Sequence, residues 1–177
     1  MAPTVIVPAA AEHQFYQLNN LPEQITDLFR AIDLHDPDED DLEDVVPEVQ
    51  ALLRSNFLLD EFIDSLYRAI RILTVSGRIR RAGSVGRTAV RGRPTLMSLR
   101  DLWFEDWGLE SLRIRLQRYK RLNFKASPVL IQPPQDLLDR EGLTSKTQLN
   151  LDPAITLYRD PEYGITRVQG SQPKNAS

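Results

Sequence analysis

Apolar residues recur along the chain at intervals that predict mainly helical structure. Between Asn20 and Leu34 they fall at the spacing of one helical face, and Asn20 stands three residues before Glu23 as in a capping box. Pro22 fits the first turn of such a helix. We therefore predict an amphipathic helix over 20–34, preceded by a loosely ordered start over 1–19.

The longest predicted element is a helix over about residues 47–76. Its apolar positions keep an unbroken 4-3 heptad spacing across 45–73, with Asn56 at one a position, a pattern typical of a two-stranded parallel coiled coil. The flanking e and g positions are apolar rather than charged, which favours a central helix in a bundle over a zipper. Asn56 is also a candidate N-cap for a second helix after a break at Ser55, and the pattern leaves this alternative open.

The sequence changes character in the segment 77–94, which contains four glycines and six arginines. Its apolar content is too low to offset the entropy of ordering, so we predict a mobile basic linker. Beyond it, apolar spacing predicts a helix over 95–107 and favours another over 109–125, where an alternation typical of a strand competes. The remainder has β-like runs at 147–151, 155–159 and 165–168.

These patterns together predict a mainly α protein, a small helical bundle around the long central helix with a short β-like C-terminal segment. The chain of 177 residues is long enough to bury about 70% of its extended surface in one core. The predicted organisation is a loosely ordered N-terminus (1–19), a helical unit (20–76) with an acidic loop (33–44), a basic linker (77–94), a second unit that is helical and then β-like (95–169), and a disordered tail (170–177).

Charge is strongly segregated, although the formal net charge is only −3. Nine acidic and no basic residues lie within 31–53, whereas 65–100 holds nine arginines and no acid, and 113–125 is again basic. Guanidinium groups bind phosphate and carboxylate bidentately, so the basic segments predict contact with nucleic acid or an acidic partner. Mutual neutralisation of the blocks within one molecule is the alternative. The candidate contact residues are Arg78, Arg80, Arg81, Arg87, Arg91, Arg93, Arg113, Arg115, Arg118, Lys120 and Arg121.

A short motif within the basic segment supports the nucleic-acid hypothesis. Arg91-Gly-Arg-Pro94 resembles the core of the AT-hook, in which an extended Arg-Gly-Arg enters the minor groove. The residues on either side lack the basic character of such hooks, and a linker that leads into the next helix explains the same four residues.

Residues that could carry catalysis or bind a metal are sparse. The sequence has no cysteine, which excludes disulfides, thiol nucleophiles and cysteine-ligated metals, and it has no nucleotide-binding, zinc-protease or serine-hydrolase motif. His35 lies among aspartates, but an EF-hand alignment of that loop fails at Asp41 and Pro47. We therefore expect a protein that is not an enzyme and has no cofactor and no bound metal. Without a signal peptide or an apolar run of membrane-spanning length, we expect a cytoplasmic protein with no membrane partner.

The function that these expectations favour is a non-catalytic helical adaptor, assembly or regulatory protein that acts through protein–protein contacts. The alternative is a nucleic-acid-binding regulator that uses 78–93 and 113–125. A homodimer through 45–73 is a further expectation, and the motifs identify no family. Tryptophan side chains contribute much of the binding energy in many protein interfaces. Burial in the core of the protein is the alternative explanation for these apolar residues. The candidate partner-binding residues are Trp103, Trp107, Leu59, Ile63, Leu66 and Ile70.

Overall fold

Helices and short strands both contribute to the fold, which a computed structural model describes for residues 3–73, 76–81, 84, 86–133 and 155–170. None of the helices in these ranges combines the length and the apolar content that crossing a membrane requires. The helices are α1 (Ala9–Leu18), α2 (Leu21–Leu28), α3 (Glu39–Ser55), α4 (Asp60–Ile70), α5 (Arg93–Glu105) and α6 (Leu109–Tyr119). The strands are β1 (Thr4–Val7), β2 (Ser76–Arg81), β3 (Arg87–Val90), β4 (Val129–Gln132), β5 (Ile155–Arg159) and β6 (Thr166–Gly170).

The strands form one antiparallel sheet in the order β3-β2-β4-β1-β6-β5. Val5 of β1 lies opposite Ile131 of β4, and Val7 lies opposite Val129, so four β-branched side chains share one face. Ile79 of β2 lies opposite Ile131 and extends that face. All five side chains are buried in the hydrophobic core, where β-branched residues suit the pleated surface of a sheet.

Aromatic side chains from α1, α4 and α5 pack together within this core. The rings of Phe15 and Trp103 are 5.5 Å apart, and the rings of Phe62 and Trp103 are 6.3 Å apart. The indole N–H of Trp107 donates a hydrogen bond of 3.0 Å to the buried hydroxyl of Tyr16. Large aromatic side chains bury much apolar surface each, and so these contacts anchor α1 and α4 to α5.

The predicted mainly α bundle is wrong, because six strands pair in a single antiparallel sheet beside the helices. The N-terminal residues expected to be loosely ordered form β1 and α1. β1 and β4 are only four residues long, and they pair across more than a hundred intervening residues. Such short runs carry no period that distinguishes a strand from a loop, so only the distant partner reveals them.

The predicted unbroken helix over 47–76 is also wrong, since α3 ends at Ser55 and α4 begins at Asp60. Asn56 is extended, its amide Nδ2 donates to the carbonyl of Leu52 at 2.8 Å, and its own carbonyl accepts from Arg100 at 2.8 Å. These contacts satisfy the end of α3 and stop the helix there. A homodimer through 45–73 would therefore have to form without a continuous coiled coil.

The start of α3 lies earlier than predicted, within the expected acidic loop 33–44. The side chain of Asp38 caps the helix by accepting from the backbone N–H of Asp40 at 3.1 Å. Acidic residues fill the first turn, where they interact favourably with the helix dipole. Acidic residues that the sequence pattern placed in a loop thus stabilise the N-terminus of α3.

The segment 77–94 is not a structureless linker, because most of it forms the β2–β3 hairpin and the start of α5. In the sheet, Ile79 of β2 lies opposite Ile131 of β4. This neighbour provides the apolar contact that the segment 77–94 cannot provide by itself.

Elsewhere the local predictions are closer to the structure. α2 ends at Leu28 rather than at Leu34, a helix does form within each of 95–107 and 109–125, and strands do form at 155–159 and close to 165–168. The predictions for 147–151 and for 171–177 lie outside the described residues.

Candidate functional site

An apolar groove lies between α1, the connection from α3 to α4 and the turn before β6. It encloses about 210 Å³, a space the size of one large apolar side chain. We call it the apolar groove, and it is lined by Ala11, Gln14, Phe15, Leu18, Asn19, Phe57, Leu58, Leu59, Phe62 and Tyr163.

The rim of the apolar groove exposes two large apolar side chains. Phe57 is 72% exposed and Leu18 is 57% exposed. The amide of Asn19 joins the two segments that carry them, because it donates to the backbone carbonyl of Phe15 at 2.8 Å and to that of Phe57 at 3.3 Å. The extended connection after α3 is thereby fixed against the end of α1, with Phe57 turned outward.

The floor of the apolar groove is aromatic and continuous with the core. The rings of Phe62 and Tyr163 meet edge to face at 5.5 Å. Phe15 and Phe62 in turn contact Trp103, which lies buried beneath them. Side chains locked in this way are already arranged for a ligand, which lowers the entropic cost of binding.

Acidic residues follow or precede two of the residues that line the apolar groove. Asp60 and Glu61 follow Leu59 in the first turn of α4, and Glu162 precedes Tyr163. Burial and the nearby carboxylates of Glu162 and Glu61 raise the pKa of Tyr163. The ring of Tyr163 thus lies between the apolar groove and the carboxylates of Glu61 and Glu162, which line a neighbouring depression.

A second cluster of polar side chains is buried between α1, β2 and α5. Arg81 points to the helix-covered face of the sheet and donates to both carboxylate oxygens of Glu12, each at 3.2 Å, and to Asp106 at 2.5 Å. Tyr16 and the backbone N–H of Ser127 also donate to Glu12, which is only 1% exposed. Burial raises the pKa of Glu12 against the opposing effect of Arg81, and burial likewise raises the pKa of Asp106. Because solvent hardly reaches Glu12, the inner part of this cluster joins elements of the fold, whereas Asp106 and Ser127 also line a depression beside α6.

Most arginines of the first basic segment bond within the chain. Arg87 pairs with Asp101 at 3.1 Å and with Glu105. Arg80 donates to the side chain of Gln132, and Arg91 donates to the carbonyl of Leu73 at 3.0 Å. In the same segment, Arg78 is half-buried in β2 and Arg93 is exposed at the start of α5.

The second basic segment lies largely on α6, close to the acidic start of α3. Arg113 pairs with Glu110 at 2.6 Å and lies 3.6 Å from Glu39. Arg115 donates to the carbonyls of Asp106 and Asn123 and stacks on the ring of Trp107. The acidic block of 31–53 and the basic block of 113–125 thus meet in one ion pair among the described residues, that of Arg113 and Glu39. In the same segment, Lys120 donates to the carbonyl of His35 at 2.7 Å, Arg118 lies over the ring of Tyr119, and Arg121 is exposed.

The candidate partner-binding residues do not form a common surface. The side chains of Trp103, Trp107, Leu66 and Ile70 are buried in the core, and Leu59 and Ile63 are half-buried beside it. Of the six, only Leu59 lines the apolar groove.

The residues that do expose apolar surface were missed because they lie off the periodic stripe. Phe57 is an apolar residue on a further face of the predicted long helix, and Leu18 lies in the segment expected to be loosely ordered. The sequence did contain one sign of the exposed surface. Phe57 is a large aromatic residue that lies outside the buried positions of the heptad pattern.

Comparisons with known proteins contribute no relative. No protein-family model matches the chain, and neither a curated protein nor a solved structure matches it. The functional argument therefore rests on the geometry of the chain itself.

Proposed function

We propose that this protein is a non-catalytic adaptor that binds a segment of another protein in the apolar groove. The observation that carries the proposal is the rim, where Phe57 and Leu18 stand exposed beside a preformed apolar floor. Large apolar side chains grouped around a concavity are typical of protein-binding surfaces. The cytoplasmic setting expected from the sequence is part of the same proposal.

The chemistry of the groove indicates the kind of segment that it takes. One aromatic or large aliphatic side chain would occupy the cavity against Phe62 and Tyr163. Basic residues next to this anchor would reach the exposed carboxylate of Asp60, which follows Leu59, or the carboxylates of Glu61 and Glu162 beyond Tyr163. Charge complementarity of this kind sets orientation and selects among partners. The proposed partner segment is therefore an apolar anchor followed or preceded by arginine or lysine.

Nucleic-acid binding, the alternative from the sequence, has less support. Arg81, Arg87, Arg113 and Arg115 all donate to groups of the same chain. These side chains could neutralise the phosphates of a nucleic acid only if the bonds within the chain broke. If the bonds stayed intact, the groups that accept them would lie close to the phosphates. The adaptor function is accordingly the one that we carry forward.

A selection from a random dodecapeptide display library tests the proposal. We expect the enriched sequences to share one aromatic or large aliphatic residue beside two or more basic residues. Phe57→Ser should weaken binding of an enriched peptide at least about tenfold, because burial of a phenylalanine side chain contributes about 2 kcal/mol.

The matched control is Met97→Ser, which replaces another exposed apolar side chain, remote from the groove on α5. This variant should bind the same peptides with unchanged affinity. Enriched peptides that are acidic, or that bind wild type and Phe57→Ser equally well, would contradict the proposal.

A further inference from the structure

Four arginines that are scattered in the sequence come together beside the end of α4. Arg68 and Arg71 come from the C-terminal turn of that helix, Arg159 ends β5, and Arg167 lies in β6. All four line a second groove of about 660 Å³, together with Tyr158. We call it the arginine groove.

The guanidinium groups in the arginine groove are not paired with carboxylates at ion-pair distance in the part of the chain that the structure describes. None of the four forms an ion pair within 4.0 Å among the described residues, in contrast to Arg81, Arg87 and Arg113. One acidic residue, Asp160, lines the groove. Its carboxylate accepts from Ser65 at 3.1 Å and from the backbone N–H groups of the turn that follows it.

Neighbouring groups hold two of the arginines in position. Arg167 lies over the ring of Tyr158, its cross-strand neighbour, at 4.7 Å. Arg68 donates to the buried hydroxyl of Ser65 at 2.9 Å. Like charges held close together repel each other, so the arrangement is relieved when an anion binds between them.

The surroundings limit how large that anion can be. Glu61, Asp64 and Glu162 line an adjoining depression that shares Arg68 and Arg71 with the arginine groove. An extended polyanion that left the groove on this side would meet these carboxylates. A compact ligand would remain among the guanidiniums, and the volume of the groove lies within the range of small-molecule sites.

We infer that the arginine groove binds a small ligand that carries two or three linked phosphate groups. Four guanidiniums and one carboxylate leave a formal charge of +3, which an oligophosphate chain matches. Arginine binds phosphate oxygens through two parallel hydrogen bonds, which a compact chain of phosphates can accept from several directions. This inference is independent of the proposed adaptor function, because it concerns a different groove.

Titration calorimetry with tripolyphosphate and with ATP tests the inference, and citrate serves as a carboxylate anion of similar charge. We expect saturable binding of tripolyphosphate, with citrate at least about tenfold weaker. ATP that binds as well as tripolyphosphate identifies the phosphate chain as the recognised group, and ATP that binds more tightly indicates a nucleotide. Both results support the inference.

The matched variants are Arg71→Gln and Arg159→Gln in the groove and Arg121→Gln as a control. All three replace exposed arginines, so each variant should fold. We expect each groove variant to weaken tripolyphosphate binding about tenfold, the loss typical of one charge-assisted hydrogen bond. The control should change it less than twofold.

Three outcomes would overturn the inference. Citrate could bind as tightly as tripolyphosphate, or Arg121→Gln could weaken binding as much as the groove variants. A single-stranded oligonucleotide could also bind more tightly than ATP and lose affinity in Arg71→Gln and Arg159→Gln, which would make the groove a nucleic-acid site.

Discussion

At the scale of single residues, Gly86 permits the hairpin between β2 and β3. Its φ is +72°, and a Cβ at this position would lie 2.3 Å from the carbonyl oxygen of Ile79 and 2.4 Å from the Cβ of Arg80. We expect Gly86→Ala to lower the free energy of unfolding by at least about 3 kcal/mol, because backbone strain and a clash with backbone combine. Urea denaturation measures this loss.

The control for this prediction is Gly92→Ala. Gly92 also has a positive φ of +107°, but a Cβ there meets nothing within 4 Å. Strain without a clash should cost about 1–3 kcal/mol, less than strain and a clash combined at Gly86. Equal losses in the two variants would mean that the close approach at Gly86 is absent in solution.

Arg81 is the cation that makes the burial of two carboxylates tolerable. Arg81→Gln leaves Glu12 and Asp106 without this partner, and we expect a loss of about 3 kcal/mol at pH 7.5. Burial already raises the pKa of both carboxyls, and the substitution removes the charge that opposes this shift in Glu12.

The sign of the pH dependence follows from these raised pKa values. A folded state in which a carboxyl has a raised pKa binds more protons than the unfolded chain, so its stability falls as pH rises through the folded pKa. We therefore expect the deficit of Arg81→Gln to shrink as pH is lowered from 7.5 to 5. Arg80→Gln is the control, because Arg80 bonds the neutral side chain of Gln132. A deficit of Arg81→Gln that does not change with pH would contradict this explanation.

At the scale of elements, the arginines of the β2–β3 hairpin lie in a backbone that the sheet protects. Trypsin needs an extended segment free of its partners, whereas β2 pairs on both sides with β3 and β4. We expect trypsin to spare Arg78, Arg80 and Arg87 in the native protein and to cut at them after unfolding in urea. Early native fragments that end at these arginines would show that the hairpin opens.

The elements that the sequence predicts well are those with local causes. The helices within 95–107 and 109–125 have apolar stripes that repeat over several turns, and each follows a glycine at its N-cap. The predicted strands at 155–159 and 165–168 are joined by a turn that also has a local cause, because the carboxylate of Asp160 caps it.

The elements that the sequence misses depend on distant partners. Four residues of β1 become a strand because β4 and β6 lie on either side of them. The apolar spacing across 45–73 continues through a break that Arg100 stabilises from another helix. The same reason explains the candidate site, since Phe57 and Leu18 become neighbours only after the chain turns between α3 and α4.

At the scale of the whole molecule, internal ion pairs neutralise part of the segregated charge. The acidic start of α3 lies near basic α6, and arginines of the hairpin bond to α1 and α5. We therefore expect weak binding to generic duplex and single-stranded nucleic acid, even at low salt. Fluorescence anisotropy across a salt titration measures it. Tight binding that falls steeply with salt would instead support the nucleic-acid alternative.

The central claim is that the apolar groove binds a basic segment with an apolar anchor, and chemical-shift mapping tests it most directly. The probe is acetyl-Trp-Arg-Arg-amide, titrated into the isotope-labelled protein. We predict the largest shifts at Phe15, Phe57, Phe62 and Tyr163, no such shifts in Phe57→Ser, and much smaller shifts with acetyl-Trp-Glu-Glu-amide. Shifts that centre on another surface, or that are the same for both peptides, would contradict the claim.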